Sequence, residues 1–270
     1  MVKKTVGRIY IYLILLLTYL PIIVLFIFSF QKTNVIKFGN ISTPTFKLYG
    51  DLFNFANQDS SSIWQAVLNT VIIAIAAAAV STIIGTLGAI GMFYSKKRAR
   101  KIVNSIANIS IVNAEIVTAL SLRILYSLLH IDLNFLTLLI GHVVLTIPFV
   151  VLNVMPKLQQ MDSNEYEAAL DLGATPTKAL AKVVIPEILP GIVSGFLISI
   201  VLSLDDYIIT AYTANPTFNT ISTYVYKQMV KSGVPLQLRS LTSIIFILVA
   251  IGVFVYGIVL KKKSAKEEHR

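Results

Sequence analysis

This sequence predicts an all-α integral membrane fold of about six transmembrane helices, on three observations. The chain is 56% hydrophobic and 13% charged, with a mean hydropathy of +0.77, whereas charged residues make up about a quarter of a soluble domain. Its apolar residues gather into runs long enough to cross a hydrocarbon layer of about 30 Å, which takes roughly 20 residues. The 23 Lys and Arg residues, which give a net charge of +10, fall mainly at alternate ends of those runs, as the positive-inside rule requires.

The first span runs from Ile9 to Phe30 and follows Lys3, Lys4 and Arg8. Signal peptides also start positively, but their apolar stretch is about 7 to 15 residues and ends in an A-x-A-like site. This run is longer and lacks that site, which predicts an uncleaved anchor. Gln31 to Gln65 is rich in Asn, Ser, Thr and Asp and predicts a small surface cap, with Trp64 as an interface anchor before the next span. The second span, Ala66 to Tyr94, contains Ala74, Ala76 to Ala79, Gly85, Gly88 and Gly91, small residues that let helix backbones approach closely. Those glycines are spaced like a phosphate loop, but no strand precedes them and no Lys-Ser/Thr follows, so phosphate binding is excluded. The remaining spans are Ile102 to Leu129, Leu133 to Val154, Ile188 to Tyr212 and Leu241 to Leu260. Before the last, Asn215-Pro216, Ser232-Gly233 and Pro235 surround a helical stretch from Ile221 to Val230, which predicts a structured loop. One integral domain, 1–270, accommodates all of this.

Both termini are expected in the cytoplasm. That orientation puts Lys3, Lys4, the run Lys96-Lys97-Arg98-Ala99-Arg100-Lys101, Lys157, Lys178, Lys182 and Lys261 to Lys263 inside. Lys32, Lys37, Lys47, Lys227, Lys231 and Arg239 stay outside. The basic clusters abut span ends, so anchoring against membrane lipid accounts for them and no nucleic-acid partner is expected. Cysteine is absent, which excludes disulfides, thiol catalysis and cysteine metal sites. His130, His142 and His269 lack metal-ligand spacing; no metal site is expected, and the first two read as packing or interface residues. No G-x-x-x-x-G-K-[ST] loop and no Ser/His/Asp setting occurs. The sequence predicts no enzyme, and no cofactor in this chain.

The most informative stretch is a polar island between apolar runs: Tyr166-Glu167-Ala168-Ala169-Leu170-Asp171-Leu172-Gly173-Ala174, followed by Ile185-Pro186. Asp162 or Ser163 can cap a short helix, and Gly173 can end it in the left-handed conformation. Thr175 then caps a second helix with Pro176 at its first position, and Pro186 is expected to stop that helix from continuing unbroken. In register, Glu167, Ala168, Ala169, Gly173, Ile185 and Pro186 resemble the EAA loop of ABC importer permeases, and Leu172, Ala174, Pro190 and Gly191 also fit. The resemblance implies the type I ABC importer permease fold, with a coupling loop at about 157–187. It also implies that Glu167, Ala168, Ala169, Asp171 and Gly173 meet a cytoplasmic ATPase, which binds the ATP and Mg.

Glu115, Arg123, Asp205 and Asp206 fall within the spans, where an ionisable group costs about 2.5 to 3.5 kcal/mol unless paired or hydrated. At about 1.5 Å per residue, Glu115 lies about 18 Å along a continuous helix from Val103, and Asp205 about 21 Å from Gly191. Both acids are therefore expected at comparable depth. Carboxylates in a hydrated cavity suit a cationic substrate, with Tyr126, Tyr207 or Tyr212 adding cation-π attraction. The alternative is structural pairing, although Arg123 is too far along its helix to contact Glu115 directly. Asp206 points about 100° away from Asp205 on one helix and can face a partner subunit.

From about Ile111 to Ile251 the resemblance narrows. Asn113-Ala114-Glu115-Ile116, Ser203-Leu204-Asp205-Asp206 and Ser232-Gly233-Val234 look like the PotC-type permeases of spermidine/putrescine ABC importers. Where those have Pro-Asp before Ile, this chain has Ala114-Glu115, keeping the acid and losing the proline. The resemblance implies a cell-membrane permease working with a PotB-like permease, two PotA-like ATPases and a PotD-like external binding protein. Polyamine would pass Asp205, Glu115, Asp206 and Tyr207. Two other readings stay open: an ABC permease for another small solute, with structural acids, and a channel or carrier that needs no ATPase.

Overall fold

Across lipid, an α-helix satisfies every backbone N–H and C=O within one segment, and the regular elements among the described residues are helical. The computed structural model describes residues 2–31, 45–96, 113–232 and 236–267. In chain order these form α1 (Val2–Phe28), α2 (Lys47–Leu52), α3 (Gln58–Phe93), α4 (Glu115–Leu128), α5 (Phe135–Gln160) and α6 (Ser163–Asp171). They continue as α7 (Pro176–Asp205), α8 (Ile208–Thr213), α9 (Ile221–Ser232) and α10 (Leu236–Glu267). Four stretches are long and apolar enough to cross a membrane: Tyr10–Phe28 of α1, α3, α5 and α7; Leu236–Gly252 of α10 is a shorter apolar one. The start of the third expected span, the cluster Lys97 to Lys101, Lys32, Lys37, the triplet Gly233-Val234-Pro235, His269 and Arg270 lie outside the described residues. So do the side chains of Lys3, Lys4, Arg8 and Lys261 to Lys263.

Residues 65–224 form one compact unit, built around α5. Asn134 starts that helix with a capping box: its Oδ1 accepts from the Leu136 and Thr137 amides at 2.7 and 3.1 Å, and Thr137 Oγ1 accepts from the Asn134 amide at 2.9 Å. Val150, Val154 and Leu158 of α5 are fully buried, in a core shared with Ala89 and Ile90 of α3 and Val184 and Ile188 of α7. Glycine sets the spacing. A Cβ on Gly85 would stand 2.7 Å from Val150 Cβ, and one on Gly191 would stand 2.8 Å from the Asn153 carbonyl oxygen. Neither leaves room for a methyl group, so these backbones meet at distances that only glycine allows. Gly88 and Gly91, expected to act alike, face open space.

In the α7 segment the regular α-helix is interrupted before Pro186, as expected, although the chain stays helical from Pro176 to Asp205. Just before the proline, Leu180–Val184 winds as a π-helix. This wider turn moves the preceding carbonyls out of the α-register, where the pyrrolidine ring would strike the carbonyl four residues back.

Residues 1–64 and 225–270 form a second unit. Within it α10 packs against α1 and α2. Leu48 and Leu52 are buried, and Ser240 Oγ donates to the Leu48 carbonyl at 3.3 Å. The Ser29 and Tyr49 hydroxyls are 2.7 Å apart, beside the edge-to-face and tilted rings of Phe30, Phe46 and Tyr49. Trp64 Nε1 donates to the Leu52 carbonyl at 3.0 Å, which gives this indole a structural bond besides its expected place at an interface.

Candidate functional site: an acidic cavity and a capped helical loop

Within residues 65–224 a cavity of about 370 Å³ is lined by Asn113, Glu115 and Thr118 on one side, Val144, Leu145 and Phe149 of α5 on another, and Val201, Leu202, Asp205 and Asp206 on the third. Glu115, Asp205 and Asp206 thus share one cavity, while Tyr207 lies just beyond it as the N-cap of α8. The Glu115 and Asp206 side chains line the same cavity. Arg123 is exposed on α4 and is not part of the lining. Tyr126 is also elsewhere: it is buried, and its hydroxyl donates to the Thr137 carbonyl at 3.0 Å. The ring at the cavity wall is Phe149.

Two helix breaks make this arrangement, and both correct the expectation of continuous spans. Ala114 is extended (φ −61°, ψ 129°), so Glu115 opens α4 rather than lying partway along a longer helix. Asn113 Nδ2 donates to Thr118 Oγ1 at 3.1 Å across that start. The break forms without a proline. On the other side α7 ends at Asp205, and Asp206 is extended (φ −62°, ψ 127°). Asp206 therefore does not sit one helical step round from Asp205, and it faces inward, 5% exposed. Its Oδ1 accepts from the Ile209 amide at 2.9 Å, and its Oδ2 accepts from the Thr210 amide at 2.8 Å and Thr210 Oγ1 at 2.6 Å. From the residue before the N-cap, Asp206 thus satisfies the free amides of the second and third residues of α8.

His142 of α5 completes this arrangement, beyond the packing or interface role that the sequence predicts for it. It is fully buried, with Nδ1 2.7 Å from Ser203 Oγ, Nε2 3.0 Å from Thr210 Oγ1 and Nε2 3.4 Å from Asp206 Oδ2. Beside it, a Cβ on Gly141 would stand 2.6 Å from Ile209 Cγ2, and Thr137 Oγ1 donates to the Thr213 carbonyl at 2.9 Å. The six residues of α8 are held at both ends by α5. An Asp followed three and four residues later by Ile and Thr was the available sign of a cap; the His partner, more than sixty residues away, left none.

The loop between α5 and α7 folds as its cap chemistry dictates. Asp162 Oδ1 accepts from the Asn164 amide at 3.0 Å and starts α6. Gly173 ends it at φ +84°, with the Ala174 amide donating to the Ala169 carbonyl at 3.0 Å and the Gly173 amide to Leu170 at 2.9 Å. Those two bonds define a Schellman stop. Thr175 Oγ1 accepts from the Lys178 amide at 3.4 Å, with Pro176 at the first helical position. Tyr166 turns inward onto Tyr94 at the end of α3, ring centroids 5.1 Å apart. Glu167, Ala168 and Asp171 face solvent and Leu172 is 89% exposed, while Ala169 is half-buried.

Among the described residues no cluster of His, Cys, Asp or Glu could hold a metal ion. An all-α membrane bundle with broken helices around a polar cavity belongs to a class of transport proteins, and comparison with known proteins identifies which. The chain belongs to the family of binding-protein-dependent transport system inner membrane components, whose pattern matches residues 81–262. It is a multi-pass membrane permease subunit of an ABC importer, not an enzyme. It is 32% identical over 247 residues to the spermidine/putrescine transport system permease protein PotC of Escherichia coli K12, covering 91% of this chain and 90% of that one. The PotC protein of Haemophilus influenzae is 33% identical over 85% of this chain and 86% of its own. The E. coli putrescine transport system permease protein PotI is 29% identical over 84% and 80%. A crystal structure of a bacterial ABC transporter that imports the acidic polysaccharide alginate superposes with a TM-score of 0.70 over 96% of both chains. At 18% identity that likeness establishes the fold alone.

Proposed function

We propose that this subunit translocates a polyamine such as putrescine or spermidine across the cytoplasmic membrane, with both termini inside. The observation that carries this reading is the shared cavity: Glu115, Asp205 and Asp206 meet there against the apolar walls of Val144, Leu145, Phe149, Val201 and Leu202. An alkylammonium needs both kinds of surface. Its charge is offset by carboxylates as hydration is lost, its methylenes lie along apolar side chains, and Phe149 can add cation-π attraction. Pro148 supplies one more acceptor, since a proline deprives the carbonyl four residues back, here that of Val144, of its intrahelical donor. The three permeases compared above carry spermidine or putrescine in their names.

The exposed face of α6, with Glu167, Ala168 and Asp171, would dock in a PotA-like ATPase, which holds the ATP and Mg. Closure of the ATPase pair would move α6, and Tyr166 on Tyr94 together with the continuous helix from Pro176 would carry that motion into the spans. The bundle, paired with a PotB-like permease, would then open alternately to each side. A PotD-like binding protein would deliver substrate outside.

One observation favours a second reading, a permease for another small solute. Asp206 already receives three hydrogen bonds from α8, so it can be wholly structural. The deciding experiment is ATP hydrolysis by the reconstituted importer with putrescine, spermidine and neutral solutes. Stimulation by the polyamines alone is expected; stimulation by a neutral solute alone would refute the assignment.

A further inference from the structure

We propose that His142 is a positioning residue for the substrate cavity, holding the unwound residues Asp206 and Tyr207 so that α7 stops at Asp205 and Asp206 lines the cavity while it caps α8. The inference rests on the transport reading above.

A fully buried imidazole in an apolar bundle is costly unless both ring nitrogens are bonded. Here both are, to elements on either side of the break: Ser203 on α7 and Thr210 on α8. The proton order follows from the distances. Thr210 Oγ1 lies 2.6 Å from Asp206 Oδ2, and a carboxylate only accepts, so the threonine proton points to Asp206. Thr210 Oγ1 must then accept from His142, which puts a proton on Nε2. His142 Nδ1 is left to face Ser203 Oγ at 2.7 Å. The chain thus runs from α5 to α8 and ends on the Asp206 carboxylate, with a longer 3.4 Å contact from Nε2 to Oδ2 beside it.

Nothing in the backbone forces this geometry. Asp205, Asp206 and Tyr207 are not glycine or proline, and without an anchor Asp206 could rejoin α7 as an ordinary helical residue. The two acids would then stand about 100° apart around one helix, and Asp206 would leave its place in the cavity lining. Packing reinforces the anchor: Gly141, the neighbour of His142, admits Ile209 at a distance that a Cβ would block. Of the charged groups, those facing the break are Glu115 from α4 and Asp205 and Asp206 themselves.

The test is uptake by the complete reconstituted importer as a function of spermidine concentration. His142→Phe keeps the volume and removes both bonds, whereas His142→Gln keeps a donor and an acceptor. A hydrogen bond to a charged group is worth enough to move binding about tenfold or more. The half-saturating concentration is expected to rise about tenfold in His142→Phe with the maximal rate per assembled complex changed less than about twofold, and to return to within about threefold of wild type in His142→Gln. A role in folding alone would lower the amount of complex and leave half-saturation unmoved, and that result would overturn the proposal. Equal defects in Phe and Gln would also overturn it. If His142→Phe does not assemble, Thr210→Val against Thr210→Ser gives the same comparison, with serine expected to keep the link. A wild-type complex that ignores every polyamine would refute the transport reading; wild-type response with unmoved half-saturation in these variants would refute only the role of His142.

Discussion

Substitution of Gly173 separates two reasons for a glycine in the coupling loop. Its φ of +84° lies in the left-handed region, and a Cβ built on it meets nothing within 4 Å. Inside this chain the penalty is therefore purely conformational. An L-residue with a Cβ pays about 1–2 kcal/mol there, while Asn visits the region at lower cost and β-branched residues resist it most. A penalty of that size shifts the population of the correctly stopped loop by about 5- to 30-fold, by weakening the bonds from Ala174 to Ala169 and from Gly173 to Leu170. Substrate-stimulated ATP hydrolysis by the reconstituted complex, normalised to inserted protein, should fall in the order Gly, Asn, Ala, Val. If steric contact with a docked ATPase were the reason, Asn would be worse than Ala. That order, or full activity in Gly173→Val, would refute the conformational argument.

Three further outcomes follow from the same geometry. Glu167→Lys, which reverses charge on an exposed position of α6, should insert normally yet abolish uptake, as measured by labelled substrate in vesicles alongside immunodetection of the chain. Asp205→Asn and Glu115→Gln should each raise the half-saturating polyamine concentration by about tenfold or more, because each removes a charge that offsets lost hydration. Gly85→Ala places a methyl group against Val150 and should destabilise the purified protein by about 1–3 kcal/mol, whereas Gly88→Ala, facing open space, should leave its thermal midpoint unchanged.

What could be read from the sequence was what neighbours in the chain decide. Asp162, Gly173, Thr175 and Pro176 announce their helix ends because a cap is made by residues two to five positions away, and the structure forms each one. The α9 helix was legible for a similar reason, lying between turn residues. Pro186 marked an interruption of the regular helix, but not its form, a π-turn over Leu180–Val184 that keeps the chain helical. Asp205 and Asp206 could be recognised as unusual within an apolar span, but the unwinding between them is fixed by His142 from a distant helix. Likewise Ala114 lacks the proline that would have marked the start of α4. Both hidden breaks lie at the cavity, and at Asp206 tertiary hydrogen bonds override the apolar periodicity that revealed the spans.

The central claim is that α6 faces the cytoplasm and is engaged by an ATPase. Because the wild-type chain contains no cysteine, a single Leu172→Cys probe on this exposed tip can be read without background. In whole cells a membrane-impermeant thiol reagent should leave it unmodified; in inverted vesicles the same reagent should modify it, and the assembled ATPase should slow that modification severalfold. Labelling from the external face, or an unchanged rate in the presence of the ATPase, would contradict the account.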